Sequence, residues 1–211
     1  MQSVELTAAA REPQVEVPDG TLANEAGLIE RARKGDANAF AAIYRHYLPQ
    51  IHAFAYRRCG SRETAEDVTA VVFEKAYRNL GKFEPRGGGF GAWLFRIAAN
   101  QMNDHHRRSA RPSSDRGQVA MARLMTESED PVDDVLRGER SEVVRSALDR
   151  IKPRYRKALS LRYLAGLTNE EAAAAMGVTR STMAVLVHRS LKSLRRQLEI
   201  EGVAATEEVN P

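Results

Sequence analysis

Hydrophobic positions recur at helical spacing along two separate stretches of the chain. In the first stretch, apolar residues lie at i, i+3, i+4 and i+7, the spacing of one helix face: Phe40, Ile43, Tyr44 and Tyr47. A second stripe of the same kind contains Val68, Val71, Val72, Ala76 and Leu80. Pro49 is expected to open a new helix, and Gly81 to end one. The pattern from Leu28 to His106 predicts helices and hardly any strand.

The second stretch begins at Val135 and contains a helix-turn-helix signature at its end. Thr168 and Glu171 have the spacing of a capping box, which predicts the start of a helix. Gly177 follows where a tight turn needs a residue that tolerates positive φ. Thr179 is suited to cap the next helix, which ends in a run of cations. An ordinary helical hairpin with a solvated basic end is the alternative interpretation of this pattern.

The composition between and outside these stretches predicts the domain boundaries. Pro112, Gly117 and paired serines interrupt the helical pattern, so residues 109–134 are expected to form a flexible linker. Residues 1–24 and 201–211 lack periodicity and are expected to be tails, the second acidic. The prediction is an all-α protein of two small helical bundles, residues 25–108 and 135–200, the second containing the helix-turn-helix.

Charge and cysteine content narrow the possible partners. The 211 residues have a net charge of +4 and a single cysteine, Cys59. Basic clusters lie at 107–116 and 189–196, which permits a polyanionic partner. A single cysteine allows no internal disulfide, and no signal peptide or membrane-spanning apolar run is visible. A cytoplasmic protein without membrane insertion of its own is therefore expected.

Four segments in this order resemble the extracytoplasmic-function (ECF) group of sigma factors, the sigma-70-like initiation subunits of bacterial RNA polymerase. They read GDANAFAAIYRHYLPQI, TAEDVTAVVFEKAYRNL, FGAWLFRIAANQMNDHHRR and DRIKPRYRKALSLRYLAGLTNEEAAAAMGV. The resemblance covers residues 28–108 and 142–198. It implies that residues 25–108 are sigma region 2, which binds core polymerase and melts the −10 element, and that residues 135–200 are region 4, which reads the −35 element.

The resemblance assigns roles to three sets of residues. For docking on the clamp of core polymerase they are Glu66, Asp67, Phe73, Glu74, Lys75 and Arg78. For −10 recognition and melting they are Phe83, Phe90, Trp93, Asn100, Gln101, Asn103, Arg107 and Arg108. For −35 recognition they are Arg180, Ser181, Thr182, Ala184, Val185, His188, Arg189 and Lys192.

Such residue types suit melted DNA for three reasons. Aromatic rings stack on bases, amides contact base edges, and cations contact phosphates. A purely structural role in the core is the alternative for Trp93. The triple glycine of residues 87–89 is expected to admit a flipped base. At Ala184 to Val187 the chain departs from the Lys-Ser-Arg-Leu run usual in the family, so two cationic contacts are absent.

The resemblance also implies partners: core polymerase through its beta' clamp and beta flap, promoter DNA, and an anti-sigma factor. In this family the two promoter elements lie roughly 17 base pairs apart, or roughly 58 Å at about 3.4 Å per pair. The linker, at about 3.3 Å per residue, reaches on the order of 85 Å. An operator-binding regulator is the alternative function. An enzyme is not expected, because no metal-ligand or catalytic spacing appears, and neither a metal nor a cofactor is predicted.

Overall fold

The computed structural model describes residues 22–85, 87–109 and 131–200, the side chains of 131–140 excepted. These ranges contain no strand, and their α-helices are α1 (Glu25–Arg33), α2 (Ala37–Cys59), α3 (Arg62–Arg78), α4 (Gly89–Ser109), α5 (Pro131–Arg150), α6 (Pro153–Leu159), α7 (Asn169–Met176) and α8 (Arg180–Ile200). A 3-10 turn, Leu80–Lys82, follows α3, and a π-helical turn, Ser160–Leu164, follows α6. The predicted all-α class is confirmed.

Helices α1 to α4 form the first body, and the large apolar side chains of each helix point toward the other helices of that body. Ile43, Ile51 and Phe54 of α2, Val72 of α3 and Leu94 of α4 are fully buried. Local hydrogen bonds set where the helices begin. The Asp36 carboxylate accepts from the Asn38 and Ala39 amides, and Ser61 Oγ accepts from the Thr64 amide at 3.3 Å.

The prediction that Pro49 opens a new helix is wrong, because Pro49 lies inside α2. A proline inside a helix removes one hydrogen bond and costs about 3 kcal/mol. Buried residues on both sides of Pro49, among them Tyr47 and Ile51, share one face of α2. Their burial favours a continuous helix and offsets that cost.

Helices α5 to α8 form the second body, and its helix-turn-helix has the predicted caps. Thr168 Oγ1 accepts from the Glu171 amide at 3.2 Å, and the Glu171 carboxylate accepts from the Thr168 amide at 2.8 Å. Gly177 has φ +66° and ends α7, while Thr179 Oγ1 accepts from the Thr182 amide. Helix α5 begins at Pro131, inside the predicted linker of residues 109–134. Residues 110–130 of that linker lie outside the described residues. The same holds for both predicted tails, except for residues 22–24.

The two bodies pack against each other through a continuous apolar core. One cluster of buried side chains runs from Ile29 of α1 through α4 to Leu186 of α8. Beside this cluster the backbone of Gly88 lies against α7. A Cβ atom placed on Gly88 would be 3.1 Å from Glu171 Cα and 3.2 Å from Ala174 Cβ. Gly88 also has φ +103°, so both its space and its conformation favour glycine.

A charge cluster joins the two bodies beside this core. We call Arg58, His106, Asp149 and Arg156 the Asp149 cluster. The Asp149 carboxylate pairs with the buried Arg58 guanidinium, lies 3.6 Å from Arg156 Nη1 and lies 3.4 Å from His106 Nδ1. Arg58 belongs to α2 and His106 to α4, whereas Asp149 and Arg156 belong to the second body. The cluster therefore links four helices through one carboxylate.

Burial lowers the pKa of His106 below its ordinary value of 6.5, and the neighbouring Arg156, Arg58 and His105 reinforce the effect. Asp149 acts in the opposite direction but does not outweigh burial. His106 is therefore neutral in the folded chain near neutral pH. Burial also lowers the pKa of His105. As the pH falls, the unfolded chain binds these two protons before the folded chain does. The two neutral histidines therefore take nothing from the free energy of unfolding above pH 6.5, and that free energy decreases as the pH falls through 6.5 toward their lowered pKa values.

We predict that the free energy of unfolding decreases between about pH 7.5 and about pH 5.5, and that His106→Gln makes this decrease smaller. Urea unfolding of the full chain at several pH values measures it. His188→Gln, on the exposed face of α8, is the control and should leave the pH dependence as it is in the unchanged chain. An identical pH dependence in His106→Gln would contradict the role assigned to burial.

Candidate nucleic-acid interface

A groove of about 590 Å³ lies between the end of α3 and the middle of α4. We call it the α3–α4 groove, and its lining residues are Lys75, Asn79, Lys82, Trp93, Arg96, Ile97, Asn100, Gln101 and Asp104. Three of these side chains are cationic and one is acidic. Three more are amides, and one is an indole. The groove thus combines positive charge, hydrogen-bonding groups of both kinds and one aromatic surface.

Helical spacing places the α4 residues on one side of this groove. Trp93, Arg96, Asn100 and Asp104 follow one another at steps of three or four residues, so they share a face of α4. The opposite face of α4 is apolar and buried. Sequence reasoning selected Trp93 and Asn100 but missed Arg96. The same periodicity, applied outward from Asn100, identifies Arg96 as its neighbour on the helix surface.

Two other lining residues, Asn79 and Lys82, were also missed by sequence reasoning. Asn79 ends α3, where its side-chain amide donates to the Lys75 carbonyl oxygen at 2.8 Å. Lys82 lies in the 3-10 turn that follows. Their place in the groove depends on how this turn brings α3 toward α4. No periodic pattern in the sequence reports such a turn.

The structure separates the three aromatic residues predicted for the −10 site. Phe83 and Phe90 are buried, with ring centroids 5.2 Å apart, so neither offers a free ring face. Trp93 is half-buried and packs on both rings at 5.2–5.3 Å while its edge reaches the groove. Phe83 and Phe90 therefore support the indole from behind. The packing of Trp93 agrees with the core role that the sequence left as one alternative, and its role in −10 recognition stays a prediction.

The polar residues predicted for the same site differ in exposure. Asn100 is exposed, and its Oδ1 accepts a hydrogen bond from Lys157 Nζ of α6 at 2.8 Å. Gln101 is only 7% exposed, and Asn103 is half-buried. Arg107 and Arg108 are exposed at the end of α4, where Arg107 pairs with Asp104 at 3.3 Å.

The outward face of α3 carries most of the residues predicted to meet the polymerase clamp. The exposed ones are Glu66, Asp67, Glu74, Lys75 and Arg78. Phe73 is buried instead, with its ring edge-on to Tyr44 at 4.6 Å. Two pairs on this face, Arg62–Glu66 at 2.9 Å and Arg78–Glu74 at 2.7 Å, are solvent-exposed and weak. They can exchange for contacts with a partner at little cost.

In the helix-turn-helix, one face of the first two turns of α8 is exposed and the other is buried. Met183 and Leu186 are buried against α7, which leaves the predicted −35 residues on the open side. Those that the structure leaves exposed are Arg180, Ser181, Thr182, Ala184, Val185, His188, Arg189 and Lys192. Val185 is 52% exposed and lies beside the exposed Ala184. The surface is apolar at its centre and cationic toward the end of α8.

The described residues bring no three potential metal ligands together, and none of their helices combines the length and apolarity needed to cross a membrane. The site is therefore built from a cationic groove with amides and an indole on one body, and a helix-turn-helix with exposed cations on the other. Together with the all-α fold, these features define a DNA-binding protein made of two helical bodies.

Comparison with known proteins gives the family. Residues 43–112 match "Sigma-70 region 2", and residues 141–194 match "Sigma-70, region 4". The chain is 34% identical over 181 residues to the ECF RNA polymerase sigma factor BldN of Streptomyces coelicolor, covering 85% of this chain and 68% of BldN. It is 28% identical over 177 residues to the ECF RNA polymerase sigma factor SigW of Bacillus subtilis, covering 81% and 94%.

The fold is also similar to that of CnrH, solved in complex with the cytosolic domain of CnrY. The TM-score is 0.58 at 22% identity, over 83% of this chain and 97% of CnrH. The chain belongs to the extracytoplasmic-function group of the sigma-70 family, the RNA polymerase sigma factors. It directs core polymerase to promoters and promotes strand opening for transcription initiation. The resemblance found in the sequence is confirmed.

The capping box at the start of α7 should be necessary for the stability of the helix-turn-helix. Thr168→Ala removes the acceptor for the Glu171 amide and should reduce the free energy of unfolding by about 1 kcal/mol. Thermal or urea unfolding of the full chain measures it. Ser141→Ala, at an exposed position of α5, is the control and should change stability by less than about 0.5 kcal/mol. Equal effects of the two substitutions would show that the cap contributes nothing.

Proposed function

We propose that the first body holds the −10 element as a single strand in the α3–α4 groove, while α8 of the second body reads the −35 element as a duplex. The observation that supports this division is the groove itself. Its three cations, three amides and indole lie on the region 2 part of the chain. Melted DNA requires these three kinds of contact, to phosphates, base edges and base faces.

The size of the groove suits an unstacked base. About 590 Å³ lies within the range of about 300–1,000 Å³ found for small-ligand pockets. A base leaving the duplex loses its stacking, and stacking on an aromatic ring returns about 1–3 kcal/mol per base. The edge of Trp93 that reaches the groove offers a related contact, because an aromatic edge packs favourably against the face of another ring. Lys75, Lys82 and Arg96 surround it and can neutralise the adjacent phosphates.

The exposed face of α3 is the surface that we propose for the clamp of core polymerase. Glu66, Asp67, Glu74 and Arg78 give it mixed charge, and a polar-rimmed interface needs such a face. Phe73 contributes from below by packing on Tyr44, not by direct contact. Lys75 lies at the border between this face and the α3–α4 groove. The clamp and the single strand would therefore meet on adjacent sides of α3.

For −35 recognition, α8 offers few base-reading cations. Arg180 lies at its first residue, where a recognition helix meets base edges, and Arg189 and Lys192 lie where phosphates border the groove. Ala184 and Val185 are apolar between them, and apolar contact with thymine methyl groups is the direct readout open to them. We propose that phosphate contacts supply most of the affinity at −35 and that methyl contacts supply part of the specificity.

The same proposal covers the partners and the place of action. The chain would act in the cytoplasm as a non-catalytic subunit, bound to core polymerase through the clamp and the beta flap. CnrH, whose fold it shares, was solved with the cytosolic domain of CnrY, which supports an anti-sigma partner for this chain too. The exposed apolar and charged faces of α3 and α8 are the surfaces that such a partner would cover.

Run-off transcription tests the function directly. Purified full-length chain is added to sigma-free core polymerase with a library of promoter fragments, and the transcripts are sequenced. Specific start sites that depend on the added chain are expected, and aligning them yields the −10 and −35 sequences. If no template in the library produced a transcript dependent on the chain, the proposal would fail.

Arg96→Gln should impair strand opening while leaving attachment to polymerase intact. The change removes one of three cations of the groove and keeps the size of the side chain, so run-off yield should fall about tenfold, an energy of about 1.4 kcal/mol. Run-off transcription and the affinity for core polymerase measure the two effects separately. A template with a premelted −10 segment should recover most of the yield. Failure of that template to rescue Arg96→Gln would place Arg96 outside the opening step.

Arg189→Ala should weaken binding of the polymerase complex to duplex promoter DNA and reduce its salt dependence. Losing one phosphate contact lowers the slope of log affinity against log salt concentration by about 0.9. Binding titrations at several salt concentrations measure the slope. Arg45→Ala, at an exposed position of α2 away from both surfaces, is the matched control. An unchanged slope for Arg189→Ala would refute its phosphate contact.

A further inference from the structure

Helix α1 contacts the surroundings of the proposed −10 site although it lies outside the family match. The match to sigma-70 region 2 begins at residue 43, after α1 has ended. Glu25 is the first residue of α1 and Arg33 is the last, so the two lie about 12 Å apart along the helix axis. Both side chains reach the segment that joins α3 to α4. We call the part of that segment between the 3-10 turn and α4, residues 83–85, 87 and 88, the glycine loop.

Arg33 contacts the side of the glycine loop that follows α3. Its Nε donates to the Leu80 carbonyl oxygen at 3.2 Å, and Leu80 begins the 3-10 turn. The Arg33 guanidinium also lies over the Phe83 ring, 5.8 Å from the ring centroid, in a cation–π contact. The Phe83 ring packs on Trp93 at 5.3 Å. Only one side chain therefore separates Arg33 from the indole.

Glu25 acts on the other side of the glycine loop, through Tyr47. The Glu25 carboxylate accepts a hydrogen bond from the buried Tyr47 hydroxyl. Tyr47 lies tightly against the first turn of α4, because a Cβ atom placed on Gly91 would be 3.3 Å from Tyr47 Oη. The Tyr47 ring also lies 5.7 Å from the ring of Phe90, which packs on Trp93 at 5.2 Å. A second series of contacts thus reaches the indole from α1.

The glycine loop has little of its own to fix its position. Gly87 and Gly88 have no side chains to pack, and glycine loses more conformational freedom on folding than any other residue. The aromatic rings on either side of these glycines must therefore be held by neighbours from elsewhere in the chain. Apolar packing is non-directional, whereas a hydrogen bond restricts both distance and angle. Arg33 and Glu25 supply directional contacts, one on each side of the loop.

We infer that α1 is a positioning element of the −10 site, in which Arg33 and Glu25 hold the two sides of the glycine loop so that Trp93 keeps one orientation at the α3–α4 groove. Neither Arg33 nor Glu25 lines the groove, so each acts through Phe83 or Tyr47 and not by touching DNA. The inference rests on the proposed function for what Trp93 meets in the groove. The orientation of Trp93 itself can be measured without DNA.

Two variants should release Trp93, one from each side. Arg33→Ala removes the hydrogen bond to the Leu80 carbonyl oxygen together with the cation over the neighbouring ring. Glu25→Ala removes the acceptor of the Tyr47 hydroxyl, whereas Glu25→Gln keeps an acceptor oxygen there and should restore the behaviour of the unchanged chain. Arg45→Ala, at an exposed position of α2, is the matched control for Arg33→Ala.

Fluorescence of the full chain tests the orientation, since Trp93 is its only tryptophan. In Arg33→Ala and Glu25→Ala the emission should shift to longer wavelength and quenching by acrylamide should increase, because the indole then meets more water. Glu25→Gln and Arg45→Ala should give the values of the unchanged chain. Circular dichroism of equal helix content shows that each variant is folded. Folded Arg33→Ala and Glu25→Ala with unchanged emission and quenching would overturn the inference.

Run-off transcription tests whether this orientation matters for strand opening. The template is a promoter obtained from the fragment library, used both as a duplex and with its −10 segment premelted. From the duplex, Arg33→Ala should give about fivefold less transcript than Arg45→Ala, a loss of the size that one aromatic contact contributes. The affinity for core polymerase should be unchanged, and the premelted template should recover most of the yield. A chain that was merely destabilised would lose yield on both templates.

The two measurements separate the inference from the function on which it rests. A changed fluorescence with an unchanged yield from the duplex would show that the orientation of Trp93 has no part in opening, and the inference would be wrong. If the unchanged chain produced no transcript on any template, the proposed function would fail. The fluorescence would then still decide whether α1 positions Trp93.

Discussion

The structure depends on the packing of α4, which has to satisfy three neighbours at once. Its apolar face, including Leu94 and Phe95, is buried against α2 and α3. Its polar face forms one wall of the α3–α4 groove, and its first turn and its end meet the second body. Because one helix serves the core, the nucleic-acid surface and the contact between bodies, a shift of α4 changes all three together.

The aromatic residues around the glycine loop illustrate how function is supported from the core. Phe83 and Phe90 are buried and hold Trp93 from one side, so the indole presents a fixed edge to the groove. A rigid aromatic side chain loses less conformational entropy on binding a base than a mobile one. In the proposed site the buried phenylalanines act only by positioning Trp93, because neither lines the groove.

Charge at the contact between bodies has a different consequence from apolar packing there. Two buried guanidinium groups, of Arg58 and Arg156, share the Asp149 carboxylate, and Arg156 Nε has no hydrogen-bond partner. Buried ion pairs add little net stability, because desolvation offsets their attraction, but removing one partner leaves an uncompensated charge. Such a cluster defines one relative position of the bodies at low net stability.

The sequence by itself determined the all-α class, the capping box of α7, the turn at Gly177 and the exposed residues of α8, because these depend on neighbours within a few positions. It failed where distant contacts compete with local preference. At Pro49, burial on both sides keeps α2 continuous. Phe83 and Phe90, which were expected to line the DNA surface, are buried in the core. Only the tertiary structure placed Asn79 and Lys82 opposite α4 in one groove and brought Arg58 to Asp149. These contacts join residues up to 91 positions apart, and local periodicity carries no information about such pairs.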